Sequence, residues 1–405
     1  MGQTASVTPS TTEPATQPLP ALLARRTAIA VAATVLLLVP TVVLFVITKQ
    51  PSATYAMMGT IVGIFAVMFG GVRIGATTAV VLALLAPLSI VAGLSPVTGA
   101  ALMALMTLTV GRLSVFGLHR SSMLVPIFLA WPMLSPVPWL PASAVAKVDA
   151  LLTASGGSLS KAVALAGSKG GGNPAASKAE LAEALTRQRF DSHYLGWVAL
   201  FFFVGAIVPV LLAPLLLRKV HLPSPTPHTR SEAVPYTITI TVLTAVATYY
   251  FLEHPKLVSG SFFIATVLVL AQVGNDIEWK LTVERVLGTL GGVGLLAVVT
   301  SLVGTATYTL VLGVPLPLTL YGLGLLFGVL AIVAKFSPRY WIYFVLITPC
   351  AALLNAFTTA QAGGLGEQRL VDNLVGAVLV VVAALVTAGA SKVLYVGDDG
   401  PAPSN

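Results

Sequence analysis

Residues 27–48 read TAIAVAATVLLLVPTVVLFVIT, an apolar run without a single Asp, Glu, Lys or Arg. Arg25 and Arg26 precede the run and Lys49 follows it. A helix needs about 20 apolar residues to cross the hydrocarbon core of a bilayer. The run therefore predicts a membrane-spanning helix. It is too long for the apolar part of a cleaved signal peptide, and no clear small-residue cleavage site follows it.

The composition of the whole chain agrees with this first run. Only 9% of its 405 residues are Asp, Glu, Lys or Arg and 56% are apolar, whereas a soluble protein carries about a quarter charged residues. The chain is too poor in charge for a soluble globular surface and too hydrophobic for disorder. Cys350 is its one cysteine, which excludes a disulfide scaffold. The predicted class is an all-α polytopic membrane protein.

The windows between charged residues predict about twelve transmembrane helices. Ten windows without Asp, Glu, Lys or Arg have the length of a spanning helix. The windows that follow Arg73 and Arg285 are long enough to cross twice, with breaks at 93–96 and 313–315. The runs are continuous in Leu, Val and Ala, which favours helices over the short alternating strands of a membrane barrel.

The basic residues predict which helix ends face the cytoplasm. With the N-terminus inside, the short loops place thirteen Lys and Arg inside and three outside. The six in loop 142–194 weigh less, because long loops contribute little to orientation. The asymmetry predicts that both termini are cytoplasmic. It also explains the net charge of +8 by contact with anionic lipid, without a nucleic-acid partner.

The two halves of the chain resemble each other. Residues 111–134 and residues 330–353 both end one helix, cross a short basic loop and begin a helix that carries a proline. Arg189 and Arg369 each precede a glycine by seven residues. An even number of helices in each copy preserves orientation. The pattern predicts two parallel six-helix repeats, which is a transporter design with the substrate path between the halves.

Composition and charge divide the chain into five segments. These are a disordered cytoplasmic tail (1–24), a first six-helix half (25–217) with an extracytoplasmic loop (142–194), a cytoplasmic linker (218–234), a second six-helix half (235–392) and a cytoplasmic tail (393–405).

No catalytic, cofactor or metal constellation is present in the sequence. There is no HExxH, CxxC, GxSxG or Walker A motif, and no ligand spacing joins the five His residues. The chain is predicted not to be an enzyme and to need no cofactor. Any active transport would then depend on an ion gradient or on a separate partner.

The acidic residues near the membrane are all predicted to lie at helix ends or in loops. The best candidates for a partly buried charge are the Glu284–Arg285 and Arg369–Asp372 pairs. Arg369 and Asp372 are three residues apart and share one helix face. The alternative interpretation is an interfacial ion pair that sets topology. No predicted spanning helix of this chain then carries a carboxylate at its centre. Such carboxylates are the usual groups for proton coupling, so their absence is an objection to it.

One segment resembles a known family. Residues 262–294, FFIATVLVLAQVGNDIEWKLTVERVLGTLGGVG, resemble the fusaric acid resistance protein-like family, which includes aromatic acid exporters. Members begin a helix with Arg-x-x-Gly-Thr-x-x-Gly, and they tend to place an Arg seven residues before a Gly at the start of the last helix of a half. The residues that match are Arg285, Gly288, Thr289, Gly292, Arg369 and Gly376, with Asp372 between the last two.

The chain departs from the family pattern in two places. Around Arg73 it reads GGVRIGATT and lacks the full motif. The linker 218–234 replaces the sizeable cytoplasmic domain that larger members carry between the halves.

The resemblance implies a bacterial inner-membrane transporter that exports small organic acids or drugs with the energy of the proton gradient. The predicted pathway residues are those of the motif together with Asp372, and Arg285 is expected to steer an organic anion towards the cytoplasmic mouth. The alternative is a non-transporting membrane subunit or scaffold of an envelope assembly, with loop 142–194 docking a partner protein. Homo-oligomerisation stays open.

Overall fold

The described part of the chain is built almost entirely from helices. The structure is a computed structural model that describes residues 19–137, 139, 188–216, 225–254, 260–271, 273, 279–303, 309–311, 314–316, 318–335, 339–354 and 359–395. The helices are α1 (Leu19–Thr48), α2 (Tyr55–Ala92), α3 (Pro96–Leu113), α4 (His119–Ser122), α5 (Leu124–Leu134), α6 (Ser192–Leu216), α7 (Arg230–Glu253), α8 (Gly260–Leu270), α9 (Trp279–Val303), α10 (Leu318–Lys335), α11 (Tyr340–Leu354) and α12 (Thr359–Tyr395).

A short hairpin joins the two helices around the predicted break at 313–315. Its strands are β1 (Thr309–Val311) and β2 (Val314–Leu316), which pair antiparallel with Val311 opposite Val314.

The helix bounds differ from the segments that the sequence predicted. α1 begins at Leu19, inside the predicted tail, and α12 continues to Tyr395, beyond the predicted end of the second half. α7 begins at Arg230, inside the predicted linker. Parts of several predicted segments lie outside the described residues: 1–18 and 396–405 of the tails, 142–187 of the loop and 218–224 of the linker.

Six described helical stretches are long and apolar enough to cross a membrane. They are Pro51–Ala92, Pro96–Phe116, Ser192–Leu215, Arg230–Glu253, Thr282–Val303 and Ala362–Val386. Four shorter apolar helical stretches accompany them: Thr34–Thr48, Gly260–Leu270, Thr319–Ala334 and Tyr340–Leu354. Most of the large apolar side chains of these helices that point outwards, such as Leu211 and Val246, are more than half exposed, as expected of surfaces in contact with lipid. The protein is therefore a multi-pass membrane protein, and the number twelve stays a prediction.

Helix α2 consists of two arms that meet at Gly71. Gly71 has φ +82° and a non-helical ψ, a conformation that only glycine adopts without strain. A Cβ on Gly75 would lie 3.6 Å from the backbone nitrogen of Val67, so the second arm folds back against the first. This turn lies two residues from Arg73, where the sequence predicted the boundary between two helices.

The first arm of α2 packs against α6 with backbone touching backbone. A Cβ on Gly59 would collide with the carbonyl oxygen of Phe202, and one on Gly63 would collide with that of Ala206. The ring of Tyr55 stacks on Phe202 at 5.2 Å. This is the close approach that the Gly-x-x-x-Gly spacing favours where lipid supplies no hydrophobic drive for helix association.

We expect Gly63→Ala to destabilise the protein, because overpacking a tight helix contact costs about 1–3 kcal/mol. The matched control is Gly294→Ala on α9, where an added Cβ would meet nothing within 4 Å and the better helix propensity of Ala is worth about 1 kcal/mol. Thermal unfolding in detergent should show a fall of a few degrees for the first variant and no fall for the control. Equal falls in both would contradict the close α2–α6 contact.

Helices α3 and α7, one from each predicted half, pack against each other. Gly99 faces Leu252 near one end and Gly111 faces Thr237 near the other. Between them the hydroxyl of Thr244 donates to that of Thr107 over 3.3 Å, inside the buried interface. Helix α1 likewise packs against α10. The halves are thus joined through two pairs of helices.

The linker between the halves is docked on the loop that follows α3. Gly117 has φ +73°, and a Cβ there would lie 2.7 Å from the backbone of Thr226. The backbone N–H of His228 donates to the carbonyl of Ser114 over 3.3 Å. The rings of His119 and His228 meet edge to face at 5.2 Å. Burial, followed by the charges of His228 and Arg120, lowers the pKa of His119 from its ordinary value of 6.5 to about 4.

This lowered pKa predicts acid sensitivity of the folded protein. His119 stays neutral in the folded state, whereas the unfolded chain gains its proton below pH 6.5. Stability is then present above that pH and is lost as the pH falls towards about 4. His119→Asn should flatten the dependence of the melting temperature on pH in this window.

The control for the acid dependence is His254→Asn, since that side chain is exposed at the end of α7. An unchanged profile for His119→Asn, or an equal change for both variants, would show that another group carries the acid dependence.

Candidate functional site

A cluster of polar side chains lies buried among the apolar helices of the second half. Arg285 on α9 is 7% exposed, Asn373 on α12 is 2% exposed and Thr266 on α8 is fully buried. Thr289, one helical turn after Arg285, is also buried. Buried charge and polar groups inside spanning helices are costly and commonly functional.

Hydrogen bonds tie three helices together through this cluster. The Nε of Arg285 donates to Oδ1 of Asn373 over 3.1 Å, and its Nη2 donates to Oγ1 of Thr266 over 3.0 Å. The Nδ2 of Asn373 donates to Oγ1 of Thr289 over 3.2 Å. Asn373 thus accepts from one side chain of α9 and donates to another, which fixes its amide orientation.

The hydroxyl of Thr266 completes the network. It accepts from Arg285, and its single proton has two acceptors within reach, Oδ1 of Asn373 and the backbone carbonyl of Phe262. Arg285 therefore has fixed partners on α8 and α12, and its guanidinium is held as a strut between the three helices.

The glycines of the motif make room for these contacts. A Cβ on Gly288 would lie 2.5 Å from the carbonyl oxygen of Trp341, and one on Gly292 would lie 2.7 Å from Cβ of Thr348, so both face α11. Gly376 on α12 faces Thr266 of α8, where an added Cβ would lie 3.0 Å from its methyl group. Small residues at these positions bring α9 against α11 and α12 against α8.

A second arginine lies in the same helix bundle. The guanidinium of Arg369 on α12 lies over the ring of Phe262, with 4.6 Å from Cζ to the ring centroid. Its electrostatic neighbours are Tyr343, Cys350 and Asp372, and its charge also acts on Arg285. The Nε of Arg369 is buried and has no hydrogen-bond partner among the described residues. The two arginines thus differ, because the Nε of Arg285 is engaged and that of Arg369 is not.

Each arginine has an aromatic ring beneath it. Arg285 lies over Phe344 of α11 at 5.0 Å, as Arg369 lies over Phe262 of α8. A desolvated cation over an aromatic face is stabilised by about 2 kcal/mol. These rings lower the cost of keeping two guanidinium groups among apolar helices.

The structure corrects the prediction that every acidic residue near the membrane lies at a helix end or in a loop. Asp372 was expected near the start of the last helix, but α12 begins at Thr359 and Asp372 is well inside the candidate span Ala362–Val386. It is 7% exposed. A lone charge in hydrocarbon is costly, so uncharged windows predict helix ends at each charge, but here the charge of Arg369 offsets that of Asp372.

The predicted residues come together, but inside the second half rather than between the halves. Arg285, Thr289, Arg369 and Asp372 lie on α9 and α12, and the glycines of the motif lie beside them on the same helices. The arginines that the sequence analysis compared with them in the first half have other surroundings. Arg73 is exposed, and the nearby Gly75 packs against Val67 and Val210. Arg189 is half-buried and donates from Nη1 to the carbonyl of Gly93 over 2.9 Å.

Two residues of the cluster were missed from the sequence. Thr266 stands alone as a polar residue in the run FFIATVLVL, and Asn373 directly follows Asp372. Threonine is common in spanning helices because it bonds its own backbone, so its position alone did not single it out. Among the described residues, no group of three or more His, Cys, Asp or Glu side chains is placed to hold a metal ion.

Fold and site together define a multi-pass helical membrane protein with a buried, arginine-containing polar cluster. Residues 243–383, which contain the whole cluster, match the family model described as fusaric acid resistance protein-like. The match confirms the resemblance predicted from Arg285, Gly288, Thr289 and Gly292. Searches of curated proteins and of solved structures give no significant match to the chain.

We expect Asn373→Ala to destabilise the second half. It would leave the Nε of Arg285 and the hydroxyl of Thr289 without their partner, at a cost of about 1–3 kcal/mol. The melting temperature in detergent should fall by several degrees. Thr300→Ala on α9 is the matched control, since its hydroxyl donates to the local carbonyl of Ala297, a bond that joins no second helix. A fall no greater than that of the control would contradict the strut.

Proposed function

We propose that the protein is a secondary transporter of the bacterial inner membrane that exports small organic acids, and that the carboxylate of the substrate binds Arg369. The observation that carries the proposal concerns the Nε of Arg369, which lies inside a candidate span. This nitrogen is a buried cationic donor, and it has no hydrogen-bond partner among the described residues. A buried charge without its full set of partners is destabilising, and a bound anion would supply the missing acceptor.

The charges around the cluster favour an anion over a cation. Arg285 and Arg369 act on each other electrostatically, and Asp372 is the acidic residue among the neighbours of Arg369. Two guanidinium groups and one carboxylate leave a net positive site. In a low dielectric such a site attracts a monovalent carboxylate strongly, and the planar guanidinium matches carboxylate geometry with two parallel hydrogen bonds.

The two arginines take different roles in this proposal. Arg285 holds α8, α9 and α12 together through Thr266 and Asn373. Arg369 is the receptor for the anion. The sequence had assigned anion steering to Arg285, whereas the hydrogen bonds favour its use as a strut.

The contacts between helices support the proposal of two six-helix repeats. If the two arms of α2 are counted separately and the four-residue α4 is counted together with α5, then α1, α3, α7 and α10 are the first, fourth, seventh and tenth helices. Exchanging the two halves replaces α1 by α7 and α10 by α3. The contact α1–α10 is thereby converted into the contact α3–α7. A two-fold axis along the membrane normal produces such an exchange and keeps both termini on the cytoplasmic side, in agreement with the basic residues.

The driving force proposed for export is an ion gradient. An inside-negative potential drives a monovalent anion outwards by about 2.3 kcal/mol for each 100 mV. Asp372 also supplies a carboxylate within a span, which is the kind of group that coupling to protons requires. The chain therefore needs no nucleotide site of its own for this function.

The decisive experiment is uptake of radiolabelled 4-hydroxybenzoate into proteoliposomes with an imposed potential and pH gradient, corrected for protein-free vesicles. We expect Arg369→Ala to lower the transport rate at least about tenfold, because it removes the receptor for the carboxylate. Arg369→Lys should restore part of the rate, since it keeps the charge but loses the planar pair of donors. Arg73→Ala is the matched control, because that arginine is exposed in the first half.

The same assay tests the alternative of a non-transporting envelope scaffold. The transporter would be overturned by two results together. Vesicles with the wild-type protein would transport none of a panel of aromatic acids and dyes, and a strain that lacks the protein would still show an envelope phenotype. A loss of transport that is equal for Arg73→Ala and Arg369→Ala would overturn the assignment of the site.

A further inference from the structure

An aromatic side chain of the first half lies beside the proposed anion site. Trp131 on α5 lies edge to face against Phe262 of α8, with 5.1 Å between the ring centroids. Phe262 in turn lies under the guanidinium of Arg369 at 4.6 Å. Trp131, Phe262 and Arg369 therefore form one stack, and the last two belong to the second half. We call it the aromatic stack.

The surroundings of the aromatic stack leave Phe262 little freedom to move. Phe262 is 8% exposed. Gly260, two residues earlier, faces Leu134 of α5, and a Cβ there would lie 2.9 Å from a methyl group of that leucine. The start of α8 is thus pressed against α5, and this contact sets the position of the Phe262 ring.

The stack covers one face of the Arg369 guanidinium and leaves its edge for hydrogen bonds. An aromatic ring attracts a cation over its face and repels an anion there, because the face carries the negative part of the quadrupole. The donors of a guanidinium lie in its plane. An anion is therefore directed to the edge, where the Nε of Arg369 has no hydrogen-bond partner among the described residues.

We propose that Phe262 and Trp131 are positioning residues for the anion site: Phe262 holds the plane of the Arg369 guanidinium, and Trp131 of the first half holds Phe262. The anion site is then incomplete without the first half, although none of its charged residues belongs to that half. This inference rests on the proposed function for the identity of the ligand and adds the residues that orient the receptor.

The first test is a series of variants at Phe262 in the proteoliposome assay with 4-hydroxybenzoate. Phe262→Leu keeps an apolar side chain but removes the ring face, so KM should rise about two- to thirtyfold with a much smaller change in kcat. That range corresponds to the loss of about 0.5–2 kcal/mol of cation–π interaction. Phe262→Tyr retains the face and should restore KM to near the wild-type value.

The same comparison is made at Trp131. Trp131→Leu should raise KM in the same direction, and Trp131→Phe should restore most of it. Phe65→Leu is the control, because Phe65 packs against Phe69 of its own helix α2, whereas the aromatic stack is formed by α5, α8 and α12. A merely structural role would lower kcat or the amount of folded protein, and the aromatic replacement would not selectively restore KM.

A second readout does not depend on transport. In a variant whose other four tryptophans are replaced by Phe, Trp131 is the one indole, and binding of 4-hydroxybenzoate at Arg369 should change its fluorescence. Adding Arg369→Gln should abolish the change. Transport with an unaltered KM in Phe262→Leu and Trp131→Leu would overturn the positioning role and leave the transporter standing. Fluorescence titration without transport would overturn the transporter and leave the positioned anion site standing.

Discussion

The cost of placing charge among apolar helices governs the rest of this structure. A chain with 9% charged residues has few that it must accommodate, and most of them stay at helix ends or in loops. Arg285, Arg369 and Asp372 lie inside candidate spans instead, and the second half is organised around them. Helices α8, α9, α11 and α12 surround the two guanidinium groups with hydroxyls, an amide and aromatic rings, because each of these partners reduces the penalty of burial.

The two halves meet the same constraint in opposite ways. In the first half, glycines bring α2 and α6 together until backbone touches backbone, and Arg73 stays exposed. In the second half, glycines on α9 and α12 bring helices equally close, but the space beside them holds polar side chains. If the halves are two copies of one six-helix unit, as we propose, both use close helix contacts, and the pair of arginines with Asp372 belongs to the second half. The aromatic stack then gives the first half a part in the site.

The site was only partly accessible from the sequence, for a reason that specific residues make clear. The motif residues Arg285, Gly288, Thr289 and Gly292 were identified through the resemblance to a family, whose motif is a pattern within one helix. Thr266 and Asn373 were missed because they matter only through Arg285, which is distant in sequence and within hydrogen-bonding distance in space. Asp372 is predicted at a helix end from the sequence, because a charge at the edge of an apolar run ordinarily marks the end of a spanning helix.

The sequence by itself determined the membrane class, the apolar helices, the turn near Arg73 and the helix that begins with the Arg-x-x-Gly-Thr-x-x-Gly motif. These follow from hydrophobicity and local spacing, which act along the chain. The tertiary structure decided that the polar cluster lies within one half, that Arg285 is a strut while the Nε of Arg369 has no partner, and that Trp131 reaches the site through Phe262. Those are properties of contacts between helices. A charge can lie inside a membrane where side chains of other helices reduce the cost of its burial.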